Sequence, residues 1–118
     1  MKRIMLKSKV HNAVTTQSNL DYDGSLTLDE TLMRAADMLP NEQVHVYNLS
    51  NRERFVTYLI KGAKDSGIVG VNGAAAHRAK EGDRLIIVTY VSMDDEEADF
   101  YRPKLVFADE KNRSKEIR

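Results

Sequence analysis

Glycine followed by serine at positions 24 and 25 is the pair of residues in this chain that could undergo the most unusual reaction. The Ser25 hydroxyl can attack the carbonyl carbon of Gly24 and convert the peptide bond into an ester. Glycine assists because it has no Cβ to obstruct the approach and tolerates strained backbone angles. Elimination would then cut the chain and leave a dehydroalanine, whose hydrolysis gives a pyruvoyl ketone. Gly-Ser is also a common turn, so this chemistry is predicted only in combination with other residues.

The composition of the chain narrows the classes of function. Its 118 residues suit one domain, and 18 basic residues balance 18 acidic ones, which argues against a general nucleic-acid or membrane-surface binder. The absence of Cys excludes disulfides, thiolate catalysis and cysteine metal sites. His11, His45 and His77 lack the spacing of metal ligands, so no metal is expected.

The first seven residues become charged again within a few positions. For that reason no signal peptide and no membrane-spanning run are expected, and the chain is predicted to be cytoplasmic. A core built without Trp must rest on Val, Ile, Leu, Met and Ala, and a small core of this kind favours oligomerisation.

Short strands separated by turns dominate the hydrophobic pattern, which indicates a mainly β barrel. Asp29 is typical of an N-cap before a short helix, and residues 74–79 can form a second one. Strands are predicted at residues 3–9 (an edge), 11–16 (after a bend), 26–28, 43–48, 54–60, 68–71, 84–91 and 101–107 (an edge, because of Pro103). Seven of the last ten residues are charged, so residues 109–118 are predicted to be a mobile tail.

One arrangement occurs twice in the predicted elements. A short helix, an acidic turn and an apolar strand follow one another in residues 32–48 and again in residues 74–90. This internal repetition is typical of a small barrel with two related halves.

Three segments together resemble the aspartate 1-decarboxylases, pyruvoyl enzymes that make β-alanine. They are residues 22–25 (YDGS), residues 54–58 (RFVTY) and residues 71–77 (VNGAAAH). Lys9 and His11 also stand at positions that match the family. The resemblance runs from the N-terminus to about residues 102–103 and leaves the charged tail outside.

The resemblance implies a small double-psi β-barrel with short helices, assembled as a homotetramer with active sites between subunits. It further implies a single-domain proenzyme, residues 1–118, that cleaves itself into residues 1–24 and residues 25–118. The cofactor would be the covalent pyruvoyl group derived from Ser25, with neither a metal nor pyridoxal phosphate, and the substrate would be L-aspartate. Cleavage would be spontaneous or would need a maturation activator, and the sequence leaves both open.

The resemblance also assigns roles to individual residues. Ser25 would become the pyruvoyl group that forms a Schiff base with the substrate amine, and Tyr58 would be the proton donor, since a phenol is protonated at neutral pH. The substrate-binding residues would be Lys9, Arg54, Thr57, Gly73, Ala74 and Ala75. The residues that support cleavage between Gly24 and Ser25 would be His11, Tyr22, Thr57 and Asn72.

Alternative interpretations of these residues follow from their types alone. Arg54 can hold a carboxylate with two parallel hydrogen bonds, but it is also a plausible surface charge beside a turn. Thr57 and Tyr58 point to opposite faces of a flat strand, so their joint use predicts either a bulge or a site between subunits. Tyr47 stands where the family often has Trp, and a similar aromatic wall is expected there.

Two rival functions remain at this stage. A double-psi barrel that binds a ligand or protein and never cleaves would keep the same fold, because fold alone does not fix chemistry. A pyruvoyl decarboxylase acting on another amino acid would keep the cleavage and change the substrate, although Arg54 and Lys9 favour a second carboxylate.

Overall fold

The computed structural model describes residues 1–21 and 24–118. The described chain forms nine strands: β1 (Lys2–Val14), β2 (Gln17–Asn19), β3 (Ser25–Asp29), β4 (Gln43–Asn48), β5 (Arg54–Gly62), β6 (Val69–Asn72), β7 (Arg84–Asp94), β8 (Lys104–Ala108) and β9 (Ser114–Ile117). The helices are α1 (Glu30–Ala35), α2 (Asp95–Phe100) and a 3₁₀ helix (Gly73–His77). None of the described helices is long and apolar enough to cross a membrane.

The chain passes from one half of the sheet to the other within β5 and again between β1 and β2. β5 pairs antiparallel with β4 from Arg54 to Tyr58, and then parallel with β3 from Leu59 onward. The first strand pairs with β7, and the chain then continues into β2, which pairs parallel with β6. The predicted mainly β fold with short helices is confirmed.

The repeated arrangement seen in the sequence corresponds to two neighbouring units. One unit runs from β3 through α1 to β4, and the other from β6 through the 3₁₀ helix to β7. β3 pairs antiparallel with β6, and β4 pairs antiparallel with β7, so the corresponding strands of the two units pair with each other. Each of the two repeated stretches of sequence therefore lies in one of these two units.

Aliphatic side chains fill the barrel, as the composition predicted. Among the described residues the largest fully buried side chains are all Leu, Ile, Val or Met, and none is aromatic: Leu26, Leu28, Leu32, Met33, Met38, Leu59, Leu85, Ile87, Val10, Val44, Val46 and Val69. The α1 helix begins after Asp29, whose carboxylate accepts a hydrogen bond from the Thr31 backbone at 2.8 Å. The N-cap prediction is confirmed.

Several boundary predictions were wrong. The first strand is one element with two register shifts, the second beside Asn12, whose φ of 68° supplies the expected bend. It is not an edge strand over its whole length, because residues Ser8 to His11 pair with β7 on one side and β8 on the other. β8 is likewise internal, since it begins after Pro103 and pairs with β9 as well.

The predicted mobile tail contains strand β9. Asn112 is buried, and its side chain accepts from the Val14 backbone N–H at 2.7 Å and donates to the Val14 and Gly67 carbonyls at 2.9 and 2.8 Å. The Arg118 guanidinium lies 4.7 Å from the centre of the Phe107 ring. Charge density alone suggested a solvated tail, whereas one buried amide and a sheet edge hold this segment to the barrel.

Candidate active site

Ser25 lies at the start of β3, where the strand alternation directs it and Thr27 to the same side. Ser25 is fully buried and stands opposite Asn72 in the pairing of β3 with β6. The Asn72 side-chain amide donates to the Ser25 hydroxyl and to the Thr27 hydroxyl, each at 3.0 Å. A predicted cleavage residue thus touches the predicted pyruvoyl precursor directly.

Two pockets flank the bond between residues 24 and 25. The serine pocket, about 370 Å³, is lined by Gln17, Ser25, Thr27, Tyr58, Ile60, Ile68 and Asn72. The glycine pocket, about 390 Å³, is lined by Gly24, Phe55, Val56, Thr57, Tyr58, Ala74, Ala75 and Arg78. Tyr58 borders both pockets, so its phenol is available to a group bound in either the serine pocket or the glycine pocket. A larger groove of about 840 Å³ beside α2 contains none of the predicted site residues.

Thr57 and Tyr58 meet at the glycine pocket without a bulge. The pairing of β4 with β5 is regular from Arg54 to Tyr58, so the predicted bulge is wrong. Both side chains border the same pocket. Tyr58 is the last residue paired with β4, and Leu59 is the first paired with β3, so the pocket lies where the strand changes partner.

The 3₁₀ helix brings small residues next to the cleavage position. Gly73 has a φ of +63°, a conformation that glycine adopts without steric cost and that permits the sharp turn after Asn72. A Cβ built on Gly24 would have the backbone nitrogen of Ala74 as its nearest neighbour, at 3.9 Å. Ala74 and Ala75 consequently form one wall of the glycine pocket.

A second group of predicted site residues lies on the outer face of the sheet. The register places Lys9 and His45 on either side of Val88, and His11 and Tyr47 on either side of Ile86. Tyr47 in turn pairs with Arg54. We call Lys9, His11, Tyr47 and Arg54 the outer group. None of the four lines the serine or the glycine pocket.

Aromatic contacts hold Arg54 in the outer group. Its guanidinium carbon lies 4.8 Å from the centre of the Tyr47 ring, a cation–π contact. The Tyr47 hydroxyl hydrogen-bonds the Tyr90 hydroxyl at 2.8 Å, and this bond, with burial, raises the pKa of Tyr90. His45 meets the Tyr90 ring edge-on, with ring centres 5.0 Å apart. Tyr47 therefore supplies the expected aromatic wall, and it does so beneath Arg54.

Arg54 and Tyr58 are separated along one strand. Four residues of extended chain span about 13 Å, at about 3.3 Å per residue. The single chain therefore brings together Gly24, Ser25, Thr57, Tyr58, Asn72, Ala74 and Ala75, but holds the outer group apart from them. Tyr22 lies outside the described residues.

His11 occupies an uncommon position for a titratable side chain. Its ring lies 5.5 Å from the Phe107 ring, and its Nδ1 is buried with no hydrogen-bond partner among the residues described. Burial first, and the positive charge of Lys9 second, lower the pKa of His11 below its usual 6.5. His11 is thus kept neutral at a lower pH than in the unfolded chain.

Stability should fall as the pH drops through the range below 6.5. The unfolded chain binds a proton at His11 first, so this contribution to stability is present above the unfolded pKa and is lost as the pH falls through the folded pKa. A Lys9→Met variant should raise the His11 pKa measured by NMR titration, whereas Lys2→Met, at the far end of β1, should not. An unchanged His11 pKa in Lys9→Met would contradict the contribution assigned to the Lys9 charge.

Of the pocket residues not predicted as site residues from the sequence, two bear on the chemistry of the site. Thr27 shares the Asn72 amide with Ser25, and its position two residues further along the same strand was the available signal. Arg78 borders the glycine pocket, and no periodicity or motif pointed to it. Within the described residues, no group of three or more potential ligands could hold a metal ion.

A pyruvoyl group fits the surroundings of Ser25. The residue is buried, adjoins a pocket and has an amide donor at its oxygen. A ketone formed from residue 25 would need no space beyond that of the present side chain, and Asn72 and Tyr58 would be among the polar groups of its pocket.

Known proteins resemble this chain in sequence over nearly its whole length. The sequence model of the aspartate decarboxylase family matches residues 1–115, well beyond the predicted end of the resemblance at residues 102–103. The aspartate 1-decarboxylase of Thermoanaerobacter pseudethanolicus is 52% identical over 113 residues, covering 96% of this chain and 97% of that protein. The one from Pelotomaculum thermopropionicum is 54% identical over 114 residues, covering 97% and 86%. This chain belongs to the aspartate decarboxylase family.

Proposed function

We propose that this protein cleaves itself between Gly24 and Ser25 and then decarboxylates L-aspartate to β-alanine and carbon dioxide. The observation that carries the proposal is the buried Ser25 hydroxyl, held at 3.0 Å by the Asn72 amide beside a pocket that Tyr58 also borders. A serine that serves only in a turn requires neither burial nor an amide donor beside a pocket. Family membership supplies the reaction class.

In the cleavage step, the Ser25 oxygen attacks the Gly24 carbonyl carbon, and the hydroxyl proton passes to the departing backbone nitrogen. Loss of the Ser25 α-proton then breaks the bond between Cβ and Oγ, and its electron pair leaves with Gly24 as a carboxylate. The remaining dehydroalanine takes up water and releases ammonia. Asn72 fixes the rotamer of the hydroxyl and stabilises negative charge at Oγ through its N–H donor.

In the decarboxylation, a pyruvoyl group supplies an electron sink for the pair released when carbon dioxide leaves. Tyr58 donates a proton to the substrate carbon afterwards, because it borders both pockets and a phenol ordinarily retains its proton at neutral pH. The predominantly apolar wall formed by Ala74, Ala75 and Phe55 leaves the departing carboxylate poorly solvated.

The second carboxylate of aspartate would be held by the outer group of a neighbouring subunit. Arg54 offers a bidentate partner and Lys9 a second positive charge, yet neither lines the serine pocket or the glycine pocket of its own chain. The outer face also exposes apolar side chains, with Val56 53% and Tyr90 39% exposed, as an unpaired interface would. A homotetramer in which each outer group faces the pockets of the next copy completes the site.

Two further aspects belong to the same proposal. A biosynthetic decarboxylase without Cys suits the cytoplasm. Cleavage is either spontaneous or assisted by an activating protein, and warming the purified chain alone separates the two.

The substrate assay tests the activity directly. The cleaved protein is incubated separately with L-aspartate, L-glutamate and L-alanine at equal concentration, and amine product and carbon dioxide are measured. Aspartate should be turned over fastest, because Arg54 and Lys9 supply positive charge for a second carboxylate and aspartate is the substrate in the relatives' name. Faster turnover of glutamate or alanine would assign the site to another amino acid, and a cleaved protein inert to all three would indicate a binding role.

A further inference from the structure

We infer that Arg78 binds the carboxylate that cleavage creates at Gly24, and so anchors the new chain end of residues 1–24 beside the pocket in the processed protein. The inference rests on the proposed self-cleavage. Gly24 and Arg78 border the same pocket of about 390 Å³, and Arg78 is the only residue of formal charge among the described residues that line it. Among the described residues that line the glycine pocket, Arg78 is therefore the candidate partner for a carboxylate at Gly24.

The backbone of Arg78 is fixed from two directions. Its carbonyl accepts hydrogen bonds from the side-chain amides of Asn48 and Asn51, each at 3.0 Å. Its N–H donates to the Ala75 carbonyl at 2.9 Å, which ties it to the 3₁₀ helix beside Gly24. Asn48 is itself buried and also bonds the Asp83 carboxylate at 2.8 Å. These bonds fix the Arg78 backbone beside the glycine pocket, which the residue lines.

The present partner of Arg78 leaves it capacity for a second carboxylate. One guanidinium nitrogen donates to Glu53 at 2.7 Å, and both side chains are about half exposed. An exposed ion pair of this kind contributes little to stability. The guanidinium carries five N–H donors in a planar fork, so it can hold Glu53 and a chain-terminal carboxylate together. Before cleavage Gly24 presents an uncharged amide, and Arg78 has no such second partner there.

The test compares melting temperatures in two backgrounds, the cleaved wild-type sequence and the uncleaved Ser25→Ala chain. Arg78→Gln keeps two of the three side-chain methylenes and removes the charge. It should lower the melting temperature of the cleaved protein by about 3 °C more than that of the uncleaved one. The additional loss should disappear below about pH 3, where a terminal carboxyl becomes protonated.

Two matched variants isolate the effect. Glu53→Gln removes the ion pair but keeps Arg78, so it should not show the cleavage-specific loss. Arg84→Ala removes an exposed arginine at the start of β7, outside the glycine pocket, and should behave alike in both backgrounds. Arg78→Lys, which keeps the positive charge, should restore part of the difference.

Each outcome has a separate meaning. Equal losses for Arg78→Gln in both backgrounds, with cleavage confirmed by mass, would overturn this inference and leave the proposed function standing. An Arg78→Gln chain that no longer cleaves would also overturn it, by assigning Arg78 to the cleavage step. A wild-type chain that never cleaves would remove the carboxylate and contradict the proposed function as well.

Discussion

Replacing Ser25 by alanine should leave a single 118-residue chain that makes no β-alanine from aspartate. The substitution removes the only atom that can form the ester with Gly24, and so removes the source of the ketone. The fold should survive, because the Asn72 amide keeps its bond to Thr27 and a lost buried hydrogen bond costs about 1 kcal/mol. Denaturing gel electrophoresis and a β-alanine assay measure both effects.

The matched control is Thr27→Val. Thr27 lies on the same strand and the same side as Ser25, and its hydroxyl accepts from the same Asn72 amide at the same 3.0 Å. This near-isosteric variant should still be cleaved, because the nucleophile remains. Carbon dioxide release by Ser25→Ala at the wild-type rate would refute the mechanism. A Thr27→Val chain that stays uncleaved while Ser25→Ala is cleaved would refute it as well.

Mixing two inactive variants should restore activity when they lie in different groups of the site. Arg54→Ala should lower kcat/KM at least about 30-fold, the effect of leaving a buried charge unpaired. Ser25→Ala is inactive for the separate reason above. If each site takes Ser25 from one subunit and Arg54 from a neighbour, random 1:1 assembly should recover about one quarter of wild-type activity. Co-expression from one plasmid, with purification through tags on both chains, gives the mixed oligomers.

The control mixture combines Ser25→Ala with Tyr58→Phe. Ser25 and Tyr58 border the same pocket of one chain, so no site in this mixture regains both groups. Activity in the first mixture and none in the second is the expected pattern. Equal recovery in both, or recovery in neither, would contradict a site shared between subunits.

The sequence predicts the chemistry of the site better than its assembly. Strand alternation correctly located residues 43–48, and the apolar run at residues 84–91 lies within β7. Alternation also places Arg54 and Tyr58, four residues apart, on one face of β5, but the distance along an extended strand separates them. Which surface of a second copy closes that gap depends on the complementarity of whole faces, and a periodic pattern in one chain does not contain that information.

The missed elements have specific physical causes. β2 spans three polar residues that carry no hydrophobic signal and is defined only by its pairing with β6. β9 contains a single apolar residue, Ile117, and depends on the buried Asn112 side chain for its attachment. Arg78 reaches the glycine pocket through the turn that follows the 3₁₀ helix, so its role depends on tertiary contacts alone.

An intact mass spectrum of the denatured protein tests the central claim most directly. Scaling the 13.4 kDa chain by length, self-cleavage predicts fragments of roughly 2.7 and 10.7 kDa, the larger about 17 Da lighter than a serine-ended fragment because a ketone has replaced the amine and hydroxyl. The larger fragment should also react with hydroxylamine. A single 13.4 kDa species that persists after warming and after addition of cell extract would contradict self-cleavage at residue 25.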